Sequence, residues 1–435
     1  MKTEISRRSF VTAGAAAAAL AGLGLAGCSS TSGSGSKASG SASASAKSAS
    51  ASASSAAAAK LDPIELAMKT PEIPEGEFAV KANNVWLEFE ENEKPFLLSD
   101  TQKIFLYYVP LEKTLAALDC KVAKDGDAYK ITYGDKTFVA GAVMKDGVPF
   151  VSTEYLTHIF AEIGFDATVR ETTPGTGQIQ LSLRTDRPYL VKIGDKEYLY
   201  EAGEHTFNDV TVTFRKTATA NGASGKPALV VFLHGGGGRG NENGKQVSYG
   251  ADTAATMMDW FTKHDQDVVL VLPQAVEGSW SYYKYAVADY VKSLVDAGEV
   301  DPTRVYMTGA SAGCGGTWQA VDANPDLYAA AMAVAFYAET ETGHIWNAVP
   351  YEPNYLCKVE NLAKVPFQIV AGGDDINGVA TNPDNLKASY EALKEAGAEV
   401  EFEIMPGLDH GGVCRGAFKE EKFLDWVFSH TREGK

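Results

Sequence analysis

Residues 309–313 read Gly309-Ala310-Ser311-Ala312-Gly313, a serine between two alanines and two glycines. The apolar run Arg304-Val305-Tyr306-Met307 precedes it, and a helix-compatible stretch, 312–323, follows. A strand that turns sharply into a helix leaves no room for bulky side chains beside the turn. It lifts the turn residue's side chain clear of the backbone and aims the next N–H into the same space. A serine there is placed to attack a carbonyl carbon, provided that a base takes its proton and a third group holds the base. Ser311 is the candidate nucleophile, and Ala312 a candidate backbone donor.

The base and its partner must come from other segments. Phe367-Gln368-Ile369-Val370-Ala371 reads as a buried strand and ends in Gly372-Gly373-Asp374-Asp375. Glu401-Phe402-Glu403-Ile404-Met405 reads as another, ending in Pro406-Gly407-Leu408-Asp409-His410-Gly411-Gly412. His410 has the glycine-flanked strand-end setting of a base. Asp375, three residues past Gly372, is the preferred orienting acid and Asp374 the alternative. Asp409 adjoins His410, and since neighbouring side chains diverge it reads as a loop residue. His234 reads as a brace for the glycines that follow it. His158 and His205 lie outside the region that carries these motifs, and His264, His344 and His430 lack such a setting.

A second glycine-rich stretch lies upstream. The continuous apolar run Ala228-Leu229-Val230-Val231-Phe232-Leu233 leads into His234-Gly235-Gly236-Gly237-Gly238. Glycines let backbone N–H groups approach a developing negative charge closely. Gly236, or Gly235, would supply a second donor beside Ala312.

These groups need a scaffold that gathers the ends of distant segments. Strands are expected near 228–233, 267–272, 304–308, 330–336, 366–371 and 400–405, and helices at 251–264, 285–297, 312–323, 384–396 and 418–431. Such alternation implies a mostly parallel sheet with helices on both faces, and ligands at the carboxyl ends of its strands. The long connection 337–365 carries Tyr337, Trp346, Tyr351 and Tyr355 and is expected to cap that edge. Ser279-Trp280-Ser281-Tyr282-Tyr283 is a second aromatic cluster. Trp280, Tyr282 and Trp346 are the candidate substrate contacts, with ordinary packing the alternative for the cluster at 280–283.

Residues 187–435 resemble the esterase branch of the α/β-hydrolases that includes polyhydroxybutyrate depolymerases and feruloyl esterases. The matching strings are Val231-Phe232-Leu233-His234-Gly235, Val300-Asp301-Pro302-Thr303-Arg304-Val305-Tyr306 and Asn324-Pro325-Asp326-Leu327-Tyr328-Ala329-Ala330. The order Ser311, Asp375, His410 along the chain is also that of α/β-hydrolases. Cys314 departs from the family pattern, which has a small residue there. The resemblance implies an α/β-hydrolase fold, an acyl-enzyme on Ser311, and a small-molecule or polymeric ester as substrate, with no metal or organic cofactor. Prolyl-oligopeptidase-like peptidases share much of this pattern, so a serine peptidase is the alternative. A non-catalytic surface-binding lipoprotein is the other class.

The start of the chain addresses its location. Ser6-Arg7-Arg8-Ser9-Phe10-Val11 resembles a twin-arginine export signal, and Leu25-Ala26-Gly27-Cys28 resembles a bacterial lipobox. Residues 1–27 are therefore expected to be a signal peptide and Cys28 the lipidation site, which puts the chain on the outer face of the cell membrane. Acyl chains contribute about 0.8 kcal/mol per buried CH₂, so two or more hold firmly. Residues 29–60 contain only Ser, Ala, Gly, Thr and Lys. They lack the apolar surface to offset ordering entropy, so 28–75 is expected to be a disordered tether.

Composition narrows the partners. The formal net charge is −17, and losing residues 1–27 removes Lys2, Arg7, Arg8 and Glu4, three cations against one anion, giving −19. So acidic a chain is not expected to bind nucleic acid through bulk electrostatics. Residues 76–185 show a weak repeat: Val109-Pro110 opens the amphipathic turn 111–118, and Val151-Ser152 opens the stretch 153–164, each followed by short strands. The pattern resembles the small α+β domain at the N-terminus of some copper amine oxidases, and a spacer or attachment role is expected. Besides Cys28 there are Cys120, Cys314, Cys357 and Cys414. A Cys314–Cys414 bridge and free buried thiols are both open.

Overall fold

The computed structural model describes residues 62–66, 71–99, 105–219, 225–249, 251–276, 280–338 and 356–432. Its first strand, Ile64–Glu65 (β1), pairs in parallel with Tyr189–Ile193, Ile64 opposite Tyr189. Ile64 and Leu66 are buried in the same core as Tyr189 and Val191. This corrects the expectation of a tether running to residue 75, because these two apolar side chains anchor the segment on the main sheet.

Between Phe78 and Leu183 the chain builds a β-rich module. Its strands are Phe78–Ala82 (β2), Val85–Leu87 (β3), Phe96–Ser99 (β4), Phe105–Pro110 (β5), Lys121–Asp125 (β6), Ala128–Tyr133 (β7), Lys136–Ala140 (β8), Val143–Lys145 (β9), Val148–Ser152 (β10), Phe165–Thr173 (β11) and Thr176–Leu183 (β12). They form three small sheets, β4-β5-β10-β9, β11-β12-β2-β3 and β6-β7-β8. The repeat seen in the sequence appears as two strands, β5 and β10, that run straight into the helices Leu111–Ala117 and Thr153–Ile159. The second helix starts cleanly because Ser152 Oγ accepts from Tyr155 N–H, which satisfies one of the free donors of its first turn. Val80, Val109, Leu115, Ile131, Leu156, Phe160 and Ile179 make a core separate from those of the main sheet.

From Tyr189 on, the strands are Tyr189–Ile193 (β13), Lys196–Phe207 (β14), Val210–Ala218 (β15), Ala228–Leu233 (β16), Val268–Gln274 (β17), Val305–Ala310 (β18), Ala330–Val334 (β19), Phe367–Gly372 (β20) and Val400–Met405 (β21). The sheet order is β1-β13-β14-β15-β17-β16-β18-β19-β20-β21. β13, β14 and β15 form an antiparallel meander whose last strand meets β17 antiparallel, and β17 to β21 are parallel throughout. The parallel strands fall within two residues of the expected ones, and the meander was not expected.

Helices close both faces of this sheet, so β16, β18, β19 and β20 are buried along their whole length. Alternate residues face opposite ways. Leu229, Val231 and Leu233 enter one core with Trp318 and Phe367, while Ala228, Val230 and Phe232 enter the other with Phe261 and Phe418. Each of these leucine, valine and phenylalanine side chains contributes about 1.5–3 kcal/mol when fully buried. The helices Ala251–Lys263, Lys284–Asp296, Ala312–Ala323 and Pro383–Glu395 stand where they were expected. The last expected helix, 418–431, is instead a turn at Ala417–Lys419 followed by Glu421–Phe428. The fold is that of the α/β-hydrolases, and the chain from Asp62 on forms one compact unit.

Candidate active site

Sheet order explains why the candidate residues meet. β16 and β18 are neighbours, with Leu233 opposite Gly309, so the glycine run leaves the sheet beside the serine turn. β20 and β21 are neighbours as well, with Gly372 opposite Met405, so the acid and histidine loops leave together. β19 stands between the two pairs.

Ser311 has φ 57° and ψ −125°, a conformation that a side chain rarely adopts and that costs about 1–3 kcal/mol. Packing enforces it. A Cβ on Gly313 would lie 1.8 Å from Leu233 O, and one on Gly309 would lie 2.3 Å from Gly313 O. Both glycines of the motif are thus steric requirements of the turn. Ser311 N–H donates to Val334 O at 2.9 Å, which ties the turn to β19.

His410 Nε2 is 2.8 Å from Ser311 Oγ, and His410 Nδ1 is 2.7 Å from Asp375 Oδ2. Asp375 is buried, whereas Asp374 is exposed and uses its backbone N–H on Leu408 O at 3.0 Å. Of the two candidate acids, the structure brings Asp375 to His410. Gly373 N–H donates to Met405 O at 2.9 Å, and a Cβ on Gly372 would meet Leu408 O at 2.6 Å. The two loops are zipped through their backbones, which holds imidazole and carboxylate in register before any ligand arrives. Asp409, read as a loop residue, caps the helix His410–Gly416 by accepting from Gly412 N–H at 2.7 Å. Thr381 had no signal in the sequence, and it donates to the other Asp375 oxygen, Oδ1, at 2.7 Å.

The glycine run borders Ser311. A Cβ on Gly235 would lie 3.3 Å from Ser311 Cβ. Gly236 opens a short turn, Gly236–Gly238, and Ala312 opens the helix Ala312–Ala323, so neither N–H has an acceptor within its own element. His234 is fully enclosed: its Nε2 accepts from Ala275 N–H at 3.1 Å, so Nδ1 carries the hydrogen and donates to Gly235 O at 2.6 Å. Burial drives its pKa down to about 4, so it stays neutral and braces the loop.

Two aromatic expectations change. Trp280 is 4% exposed and packs on Gly316 of the nucleophile helix while its Nε1 donates to His234 O at 3.1 Å. It is a brace rather than a substrate contact, because its indole N–H and its faces are already taken. Tyr282 remains exposed, its ring edge-on to Tyr283. Trp346, and with it most of the expected cap, lies outside the described residues, as does Cys28. Cys120, Cys314, Cys357 and Cys414 are free thiols, so the Cys314–Cys414 bridge is not formed. Cys314 donates to Phe336 O, and burial raises its thiol well above the usual range. Burial, and then the Asp375 charge, push Cys414 up to about 12. Both are protonated at neutral pH and are therefore poor nucleophiles.

The model of the Prolyl oligopeptidase family matches residues 276–364, a stretch that includes Ser311. No curated protein sequence matches the chain. Among solved structures it is similar to a thermostable esterase, 18% identical with a TM-score of 0.46, over 82% of this chain and 100% of that one. It is also similar to a ferulic acid esterase, 14% identical with a TM-score of 0.40, over 53% of this chain and 97% of that one. A third is esterase 2 of Thermogutta terrifontis phosphonylated by sarin, 14% identical with a TM-score of 0.39, over 56% of this chain and 98% of that one. With the nucleophile turn on its parallel sheet and the serine, histidine and aspartate in one hydrogen-bonded line, the chain is a serine hydrolase.

Proposed function

We propose that the chain hydrolyses carboxylic esters through an acyl-enzyme and works at the outer face of the cell membrane, held there by lipid on Cys28. The observation that carries the catalytic part is the line Ser311 Oγ, His410 Nε2, His410 Nδ1, Asp375 Oδ2. His410 takes the serine proton as Oγ attacks the carbonyl carbon, and Asp375 keeps Nδ1 protonated and stabilises the imidazolium that forms. Negative charge on the carbonyl oxygen meets the N–H groups of Ala312 and of Gly236 or Gly235, each worth about 3–4 kcal/mol at the transition state. The imidazolium protonates the departing alkoxide, and water then repeats the sequence on the acyl-enzyme. The glycine run after β16 supports an ester over other acyl substrates, because lipases and esterases use such a run as an oxyanion loop. The twin-arginine and lipobox-like strings support the location.

The match to the Prolyl oligopeptidase family favours a second reading, a peptidase with the same triad. A panel of p-nitrophenyl esters, a feruloyl ester and chromogenic peptides, given to protein starting at residue 61, separates the two. The ester reading expects turnover of esters at least about 100-fold above that of peptides, a gap of some 3 kcal/mol in barrier. Turnover of peptides alone would replace it with the peptidase reading.

A further inference from the structure

The stretch that follows the glycine run, Arg239-Gly240-Asn241-Glu242-Asn243-Gly244-Lys245, is polar and largely buried. A path of hydrogen bonds joins it to the loop beside Ser311. Gln274, at the end of β17, donates from Nε2 both to Gly238 O and to Glu242 Oε1, each at 3.0 Å, and its Oε1 accepts from Asn243 N–H at 2.7 Å. Gly240 N–H donates to Ala275 O at 3.0 Å, on the residue whose own N–H holds the His234 ring.

The same stretch meets the N-terminal module on its other side. Asn84, in the turn between β2 and β3, donates from Nδ2 to Gly244 O at 3.0 Å. Asp166, on β11, pairs with Lys245 Nζ, and both side chains are mostly buried. Arg215 is wholly enclosed and donates to Asn243 O at 2.7 Å, to Arg187 O at 2.6 Å and to Thr185 O at 2.6 Å, bridging the stretch to the strand exit of the module. A buried polar group without a partner is costly, so these bonds leave the stretch one favourable position.

We propose that the module is a positioning element of the active site: Asn84 and Asp166 hold residues 239–245, and Gln274 transmits that position to the glycine run that faces Ser311. The inference rests on the reading of the run as an oxyanion loop and gives the module a task beyond spacing or attachment. Loosening the loop acts on the transition state, where negative charge develops, more than on the bound ester.

The test uses Asn84→Gly, which removes the donor but keeps a residue suited to the positive φ of 68° at that site, and Asp166→Asn, with Asp166→Glu as the conservative control. Amide hydrogen exchange across 234–246 and steady-state turnover of a p-nitrophenyl ester are measured on the chain from residue 61. The expected result is exchange faster by about tenfold or more, confined to 234–246, with kcat lowered by a similar factor, KM within about twofold and the protein still folded at the assay temperature. Asp166→Glu should recover most of both. Unchanged exchange in 234–246, or faster exchange with kcat unaltered, would overturn the proposal. The exchange result decides the bracing even if the parent prefers peptides to esters.

Discussion

Thr381 Oγ1 and His410 Nδ1 meet opposite oxygens of the Asp375 carboxylate, each at 2.7 Å. The aspartate therefore has one partner that fixes its rotation and one that it orients in turn. Thr381→Val keeps the shape and removes the donor. The loss of one hydrogen bond to a charged group predicts kcat lower by about tenfold, with folding retained and Thr381→Ser near the parent value. Equal rates for the valine and serine variants in steady-state assays would show that Asp375 needs no second partner.

Asp374 and Asp375 adjoin in sequence but differ in surroundings. Asp375→Asn should lower kcat by about 10³–10⁴, because the wrong imidazole nitrogen would then carry the proton. Asp374→Asn should leave it within about twofold, since that side chain is exposed. The reverse ranking would move the acid by one residue.

His234 makes stability depend on pH. Its folded pKa of about 4 lies below the ordinary value of 6.5. Between those values the unfolded chain binds more protons than the folded one, so stability falls as pH drops from about 6.5 and the loss levels off near pH 4. The full effect is on the order of 3 kcal/mol. Urea unfolding at several pH values should show that His234→Gln, though less stable at pH 7, has a shallower slope in this window. Parallel curves would mean that His234 is not buried as a neutral brace.

Much of this site was legible because its parts are local. The strand-turn-helix at Ser311 and the glycine endings of β16 and β20 each announce themselves within about ten residues. What was not legible is long-range. Ile64–Glu65 gives no strand signal by itself and exists through pairing with β13. The longest strand of the meander, β14, is half-exposed and so lacks the continuous apolar runs of the central strands. Trp280 reads equally as a substrate contact or as ordinary packing until Gly316 and His234 O are placed beside it. Thr381 sits in a loop where no periodicity applies.

The proposed membrane attachment is tested apart from catalysis. Cys28→Ala should abolish incorporation of a fatty-acid analogue while leaving ester turnover of the folded part unchanged, and Arg7→Lys with Arg8→Lys should impair export. Lipid still incorporated into the Cys28 variant would contradict the lipoprotein reading.

The central claim is that Ser311 attacks carbonyl carbon with His410 as its base. A fluorophosphonate probe, followed by mass spectrometry of the labelled peptide, tests it most directly. A single adduct on Ser311 is predicted, lost in Ser311→Ala and slowed by about 10³ or more in His410→Ala, with both variants folded. An adduct on another residue, or labelling that persists in Ser311→Ala, would contradict the claim.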